Sequence, residues 1–233
     1  MLTVVFALAC SFQDDDVASA IAKFKADMAK AKGPADQSTA FYELGRTQDE
    51  KTLAILTPYV TGPEGLRKPA IFALSGFYEH QKKVVPILLK SLQVNQTDSI
   101  AVSAALEGLG KIGDETVVPT LHKYFADKTM FVAKAAIAST GRIRHVSSIE
   151  PLIQALKAQE KALANAGSGS VGPVIPSPTR GSIKPDGSIR YNAEKLQAEA
   201  NASLNKITLQ DFKTSADWQK WWDASKATFQ VEK

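Results

Sequence analysis

A helical pattern recurs along the middle of the chain at intervals slightly longer than thirty residues. Its landmarks are four glycines, spaced 31, 34 and 31 residues apart, namely Gly45, Gly76, Gly110 and Gly141. Each glycine follows an apolar segment and precedes a short polar segment and a second apolar segment. A period of this length is typical of stacked helix pairs, because one pair cannot bury its apolar face alone. The pattern therefore predicts an all-α fold, an α-α superhelix with four helix pairs over residues 34–160.

Apolar positions in a fixed relation to these glycines predict the core. A trio of apolar residues occupies each second helix, reading Leu53/Leu56/Val60, Val85/Leu88/Leu92, Val118/Leu121/Phe125 and Ile149/Leu152/Leu156. A further apolar residue lies four positions before each glycine, giving the column Phe41, Phe72, Leu106 and Ile137. We expect both sets to be buried and the glycines to end the first helices in a left-handed conformation. Pro58 predicts a kink or a short helix in the first repeat.

The third and fourth repeats carry a family resemblance. Residues 105–114 read ALEGLGKIGD and are followed by Val117-Val118-Pro119-Thr120-Leu121. Residues 135–156 repeat this pattern, with Gly141-Arg142-Ile143 and then Ile149-Glu150-Pro151-Leu152. These segments resemble bacterial HEAT repeats of the family that includes the bilin-lyase-like proteins. The resemblance covers slightly more than half of the chain and implies a HEAT-repeat solenoid with broad surfaces for protein partners.

The N-terminal residues resemble an export signal. Residues 1–9 read MLTVVFALA, and Ala7-Leu8-Ala9 fits the small-residue pattern that precedes a cleavage site. We therefore expect residues 1–13 to be a signal-peptide-like segment of an exported protein, periplasmic or secreted, with Cys10 placed where a lipid anchor would be attached. The alternative is a cytoplasmic protein with an apolar terminus. Asp14–Asp16 then predict the N-cap of a capping helix over residues 14–33.

The composition changes after the repeats. Residues 161–191 are predicted to form a loop, since residues 166–187 are rich in Gly, Ser and Pro. Within it, Pro185-Asp186-Gly187 lies between two short alternating runs, residues 182–184 and 188–191, which is the pattern of either a small β-hairpin or plain disorder. Residues 192–233 are predicted to form a C-terminal helical cap.

All three tryptophans belong to this predicted cap. Trp218, Trp221 and Trp222 are spaced to share one helix face. We interpret them as a lid on the end of the repeat stack, with at least two indoles buried. The alternative is an aromatic platform for a glycan.

Charge indicates a further candidate surface. The net charge is +4, and polar residues predicted on the second helices, which line the concave side of HEAT arrays, include mostly lysines: Lys83, Lys90, Lys123, Gln154 and Lys157. Such a surface suits an acidic protein partner.

The sequence contains no recognisable catalytic or metal-binding motif. The three histidines are far apart in sequence and lack metal-ligand spacing, the single cysteine cannot form an internal disulfide, and no phosphate-binding loop is present. We therefore expect a protein-interaction module or scaffold without catalytic residues, cofactor, metal or nucleic-acid partner. Two other classes remain as alternatives: a DNA-binding protein resembling the alkylpurine glycosylases, and a glycan-binding module.

Overall fold

The computed structural model describes residues 2–167 and 185–232, and every regular element in these ranges is helical. The α-helices are α1 (Leu2–Lys30), α2 (Pro34–Gly45), α3 (Glu50–Leu56), α4 (Glu64–Leu74), α5 (Gln81–Val94), α6 (Ser99–Ile112), α7 (Val118–His122), α8 (Met130–Ile143), α9 (Ile149–Gly167), α10 (Pro185–Thr208) and α11 (Ser215–Ser225). Short 3-10 turns cover Thr57–Thr61, Tyr78–His80, Glu115–Val117 and Val146–Ser148. The predicted fold class, an all-α helical repeat, is confirmed.

The chain divides into two compact units, residues 1–114 and residues 115–233. In the first unit, α4 packs between α2 and α6, and α5 packs against α6. Helix α1 packs on α2, where the rings of Phe24 and Phe41 meet edge to face with centroids 5.2 Å apart. The predicted helix start at Asp14–Asp16 is wrong, because α1 already begins at Leu2. No glycine or proline between these points interrupts the helix.

The first repeat has the short second helix that Pro58 predicts. Helix α3 begins after Asp49, whose carboxylate accepts a hydrogen bond from the Lys51 backbone N–H at 2.7 Å. It ends at Leu56, and the chain continues as a 3-10 turn through Thr57–Thr61. The prediction of a shortened helix is therefore confirmed.

The residues predicted to form the core are buried, with one exception. All twelve residues of the second-helix trios are buried, as are Phe41, Leu106 and Ile137. Phe72, however, is 42% exposed, and its neighbour Ile71 is fully buried in its place. Ile71 and Leu74 lie three positions apart and share the inner face of α4, so Phe72 is directed away from it.

The predicted turns at Gly110 and Gly141 are wrong. Helix α6 continues to Ile112 and closes at Gly113, with φ 80°. Helix α8 continues to Ile143 and closes at Arg144, with φ 57°. The left-handed residues in the described ranges are Gln48, Gly113, Arg144 and Leu209, and none of the four landmark glycines is among them.

Helix packing explains the repeated small residues instead. A Cβ added to Gly45 on α2 would lie 3.0 Å from Ala73 Cβ on α4. At Gly108 on α6 it would lie 2.7 Å from Ser75 Oγ at the end of α4. The first helices therefore approach so closely that their contact leaves no room for a side chain.

The second unit uses the same contact between α8 and α10. A Cβ on Gly141 would lie 2.6 Å from Ser203 Oγ and 2.9 Å from Ser203 Cα. The Ser203 hydroxyl donates a hydrogen bond to the Ile137 carbonyl at 3.0 Å. Helix α10 packs on α8 and α9, as α6 packs on α4 and α5, and α11 packs on α9. The C-terminal helices are therefore arranged as a further repeat-like pair.

The predicted β-hairpin is wrong within the described residues. Pro185-Asp186-Gly187 forms the first turn of α10, and residues 188–191 continue that helix. The other predicted arm, residues 182–184, lies outside the described residues. Proline at the start of a helix leaves no intrahelical hydrogen bond unmade, so the same three residues that suit a tight turn also suit a helix start. At the preceding boundary, α9 extends to Gly167, beyond the predicted start of the loop at residue 161.

We predict that Gly141→Ala lowers the free energy of unfolding by about 1–3 kcal/mol, because α10 must move away from α8. The measurement is urea unfolding followed by circular dichroism. The matched control is Gly65→Ala in α4, where nothing lies within 4 Å of the added Cβ. That variant should be neutral or more stable by up to about 1 kcal/mol. Equal effects of the two substitutions would contradict the close-contact role of Gly141.

Candidate interaction surfaces

The five residues of the predicted basic surface are exposed, but they belong to two different units of the chain. Lys83 forms an ion pair with Glu50, and Gln154 donates to Glu150 on its own helix. Lys90, Lys123 and Lys157 are exposed. Lys83 and Lys90 belong to the first unit and the other three residues to the second. These side chains therefore lie on two separate sets of helices, and the prediction of one binding surface stays a prediction.

The tryptophans of α11 have different environments. Trp218 is fully buried, and its Nε1 donates to Asn201 Oδ1 on α10 at 2.8 Å. Trp221 and Trp222 are half-buried, so the expectation that at least two indoles are buried is wrong. Both rings pack on Phe229, with centroids 5.4 and 6.0 Å apart. Trp218 thus joins α11 to α10, while the other two hold the segment that follows α11.

Two hydrogen bonds to a carboxylate fix the start of the same helix. The carboxylate of Glu160 on α9 accepts hydrogen bonds from both the backbone N–H and the hydroxyl of Ser215. Thr214 caps α11 by accepting a hydrogen bond from the Asp217 N–H at 3.2 Å. Because Trp218 is buried, only the rings of Trp221 and Trp222 are accessible, and a glycan platform on α11 would depend on these two tryptophans.

Sequence reasoning missed an apolar groove between α2 and α4 in the first unit. Tyr42 is 65% exposed and Phe72 is 42% exposed, and with Lys68, Pro69, Ala73 and Ser38 they line a groove of about 300 Å³. The ammonium group of Lys68 lies 5.6 Å from the centroid of the Phe72 ring. One signal was present in the sequence: Phe41 and Tyr42 are adjacent, so their side chains point roughly 100° apart around the helix and both need not face the core.

A second missed feature is a cleft in the second unit, at the end of α8. It is lined by the turn Ile143–Val146, by Glu115 and by Phe229–Glu232, and it measures about 480 Å³. His145 accepts a hydrogen bond from the Ser147 backbone N–H through Nδ1 at 3.2 Å, so it caps this turn. The sequence had indicated only a polar turn here.

The histidines occupy structural positions. His80 Nε2 donates to the Gln48 carbonyl at 3.0 Å, and His122 Nε2 lies 3.0 Å from the hydroxyl of the buried Ser148. Burial lowers the pKa of His122, and the nearby His145 lowers this pKa further. Within residues 2–167 and 185–232, no group of three His, Cys, Asp or Glu side chains could hold a metal ion. In the same ranges, no helix has the length and apolar character needed to cross a membrane.

Comparison with known families agrees with the repeat geometry. Residues 85–167, from within α5 to the end of α9, match the family model of HEAT repeats. The match covers about a third of the chain and supports HEAT repeats in this segment; stacked helix pairs of this kind commonly serve as scaffolds for protein interactions. No curated protein matches the chain.

We predict that Trp218→Ala lowers the free energy of unfolding by about 3–5 kcal/mol, because it leaves a cavity and an unpaired Asn201 oxygen between α10 and α11. Trp222→Ala is the matched control and should cost about 1 kcal/mol or less, since that ring is only half-buried. Urea unfolding by circular dichroism measures both values. Similar losses for the two variants would contradict the assignment of Trp218 as the residue that anchors α11.

Proposed function

We propose that the protein is a non-catalytic interaction module that binds another protein through the groove between α2 and α4. The observation that carries the proposal is the distribution of exposed apolar side chains over the repeat helices. In residues 34–167, the first helices expose Tyr42, Phe72, Ile100 and Phe131, whereas the second helices expose only Val94 among their large apolar residues. Large apolar side chains exposed around a groove are typical of interaction sites.

The groove favours a particular kind of partner segment. Tyr42, Pro69 and Phe72 provide apolar walls, and aromatic residues of this kind commonly dominate binding energy at protein interfaces. Lys68 lies over the Phe72 ring at one side of the groove, where its charge can pair with a carboxylate. The proposed ligand is therefore an apolar side chain that lies next to an Asp or Glu in another protein.

The lysines on the second helices form the alternative binding site for a protein partner. An acidic partner there would contact Lys83, Lys90, Lys123 and Lys157 without an apolar anchor, since α3, α7 and α9 expose no large apolar residue in their described portions. Exposed ion pairs contribute about 0–1 kcal/mol each, so such a surface alone supports only weak binding. The groove combines an apolar contact with one charge and is the better anchor.

The test is site-specific photo-crosslinking in the native host with benzoylphenylalanine at position 42. We expect one discrete adduct with another protein, and we expect Lys68→Glu or Phe72→Ser to reduce its yield at least about tenfold. The same crosslinker at position 90 is the matched control on a second helix, and Lys90→Glu is the matched charge reversal. An adduct that forms at position 90 instead, or a yield at position 42 that is insensitive to Phe72→Ser, would refute the groove as the binding site.

We further propose that the protein is exported after cleavage near Ala9. Residues 1–9 are apolar apart from Thr3 and end in the pattern Ala7-Leu8-Ala9. The buried side chains described on α1 include Val17 and Phe24, which follow that point in the sequence. Removal of the first nine residues would therefore leave these contacts of α1 in place.

N-terminal sequencing and mass measurement of the protein from fractionated native cells test this proposal. The expected N-terminus is Cys10 or a residue just after it, in the periplasmic, membrane-associated or secreted fraction. A lipid-anchored form would carry an added diacylglycerol mass on Cys10. A chain that begins at Met1 in the cytoplasmic fraction would contradict export.

A further inference from the structure

We propose that the cleft at the end of α8 binds a small ligand that carries one carboxylate on an apolar body. This cleft, defined by Ile143–Val146, Glu115 and Phe229–Glu232, lies entirely in the second unit. Its volume of about 480 Å³ is within the range of small-molecule sites. The proposal is independent of the protein-binding groove, which lies in the first unit.

Arg144 supplies the reason for a carboxylate. Its Nε is buried and has no hydrogen-bond partner among the described residues, and Arg144 lines the cleft. Arg144 as a whole is only half-buried and is the one Lys or Arg among the residues that line the cleft, so its guanidinium is the cation that a ligand in the cleft would meet. A carboxylate matches the planar guanidinium with two parallel hydrogen bonds, and this pair is stronger than bonds between neutral groups.

The backbone holds Arg144 in place. Its φ of 57° is uncommon for a residue with a side chain, and its N–H closes α8 by donating to the Thr140 carbonyl at 3.0 Å. The next residue is also fixed, since the His145 ring contacts the Ser147 N–H and hydroxyl. A left-handed residue is also a common way for a helix to end. The turn therefore fixes the backbone of Arg144 beside the cleft.

The other walls define the remainder of the ligand. Ile143, Val146, Phe229 and Val231 give the cleft apolar surface, and Phe229 is itself held by Trp221 and Trp222. A ligand that carried only charge would leave this surface in contact with water. An aliphatic or aromatic body attached to the carboxylate would cover it.

Charge limits the ligand to a small number of negative groups. Residues 115–233 contain 16 Lys and Arg against 11 Asp and Glu, so the unit attracts anions. The cleft itself also carries Glu115 and Glu232. Glu115 Oε2 lies 4.0 Å from His145 Nε2. These two carboxylates repel a multiply charged anion, so a monocarboxylate fits better than phosphate.

The experiment uses the full chain, labelled with ¹⁵N, and three probes: hexanoate, hexanamide and inorganic phosphate. We expect hexanoate to shift the amide signals of His145, Val146 and residues 230–232 in a saturable manner. Hexanamide, which has the same body without the charge, and phosphate, which has charge without the body, should each bind at least about tenfold more weakly.

Two arginine variants of equal net charge complete the test. Arg144→Gln should weaken hexanoate binding by roughly tenfold or more, whereas Arg142→Gln, an exposed neighbour in the last turn of α8, should change it by less than about twofold. Equal binding of hexanoate and hexanamide, tighter binding of phosphate, shifts confined to other residues, or no saturable shift would each overturn the proposal. If Arg144→Gln does not fold, the comparison of the three probes on the wild-type chain decides the question.

Discussion

The close contact between successive first helices is the constraint on which the structure depends. Gly45 against Ala73, Gly108 against Ser75 and Gly141 against Ser203 each bring two helices together where a side chain would not fit. Because small residues occupy these contacts, the larger apolar residues of the first helices lie to either side of them. Ile71 points inward to the core, while Tyr42 and Phe72 point outward to the groove. The same packing rule therefore produces both the buried core and the exposed apolar surface.

The fold could be predicted from the sequence where the spacing of residues is compatible with only one structure. The second-helix trios were identified correctly, because apolar residues at helical spacing within a repeat must face the neighbouring pairs. The landmark glycines have two possible roles, helix termination and close approach, and their spacing is the same in both. We predicted that Gly110 and Gly141 end their helices, but in the structure both helices continue past these glycines. Pro185-Asp186-Gly187 was ambiguous in the same way between a tight turn and a helix start.

The candidate sites were less predictable than the fold for a related reason. Phe72 has the spacing of a core residue, and only the rotation of α4 decides whether Ile71 or Phe72 faces inward. The Arg144 cleft depends on the approach of residues 229–232 to a turn more than eighty residues earlier in the chain. Nothing in local composition reports such a contact between distant segments. Charge, by contrast, was visible in the sequence, and its excess of basic residues lies in the second unit.

The placement of the tryptophans makes intrinsic fluorescence specific to one part of the chain. All three lie in α11, and residues 1–114 contain none. Intrinsic tryptophan emission therefore observes only the second unit, chiefly the contact of the buried Trp218 ring with α10 and that of the other two rings with Phe229. Far-ultraviolet dichroism, in contrast, counts the helices of both units. A denaturant titration followed by both signals separates release of the C-terminal helix from loss of the repeats, without an added dye or label.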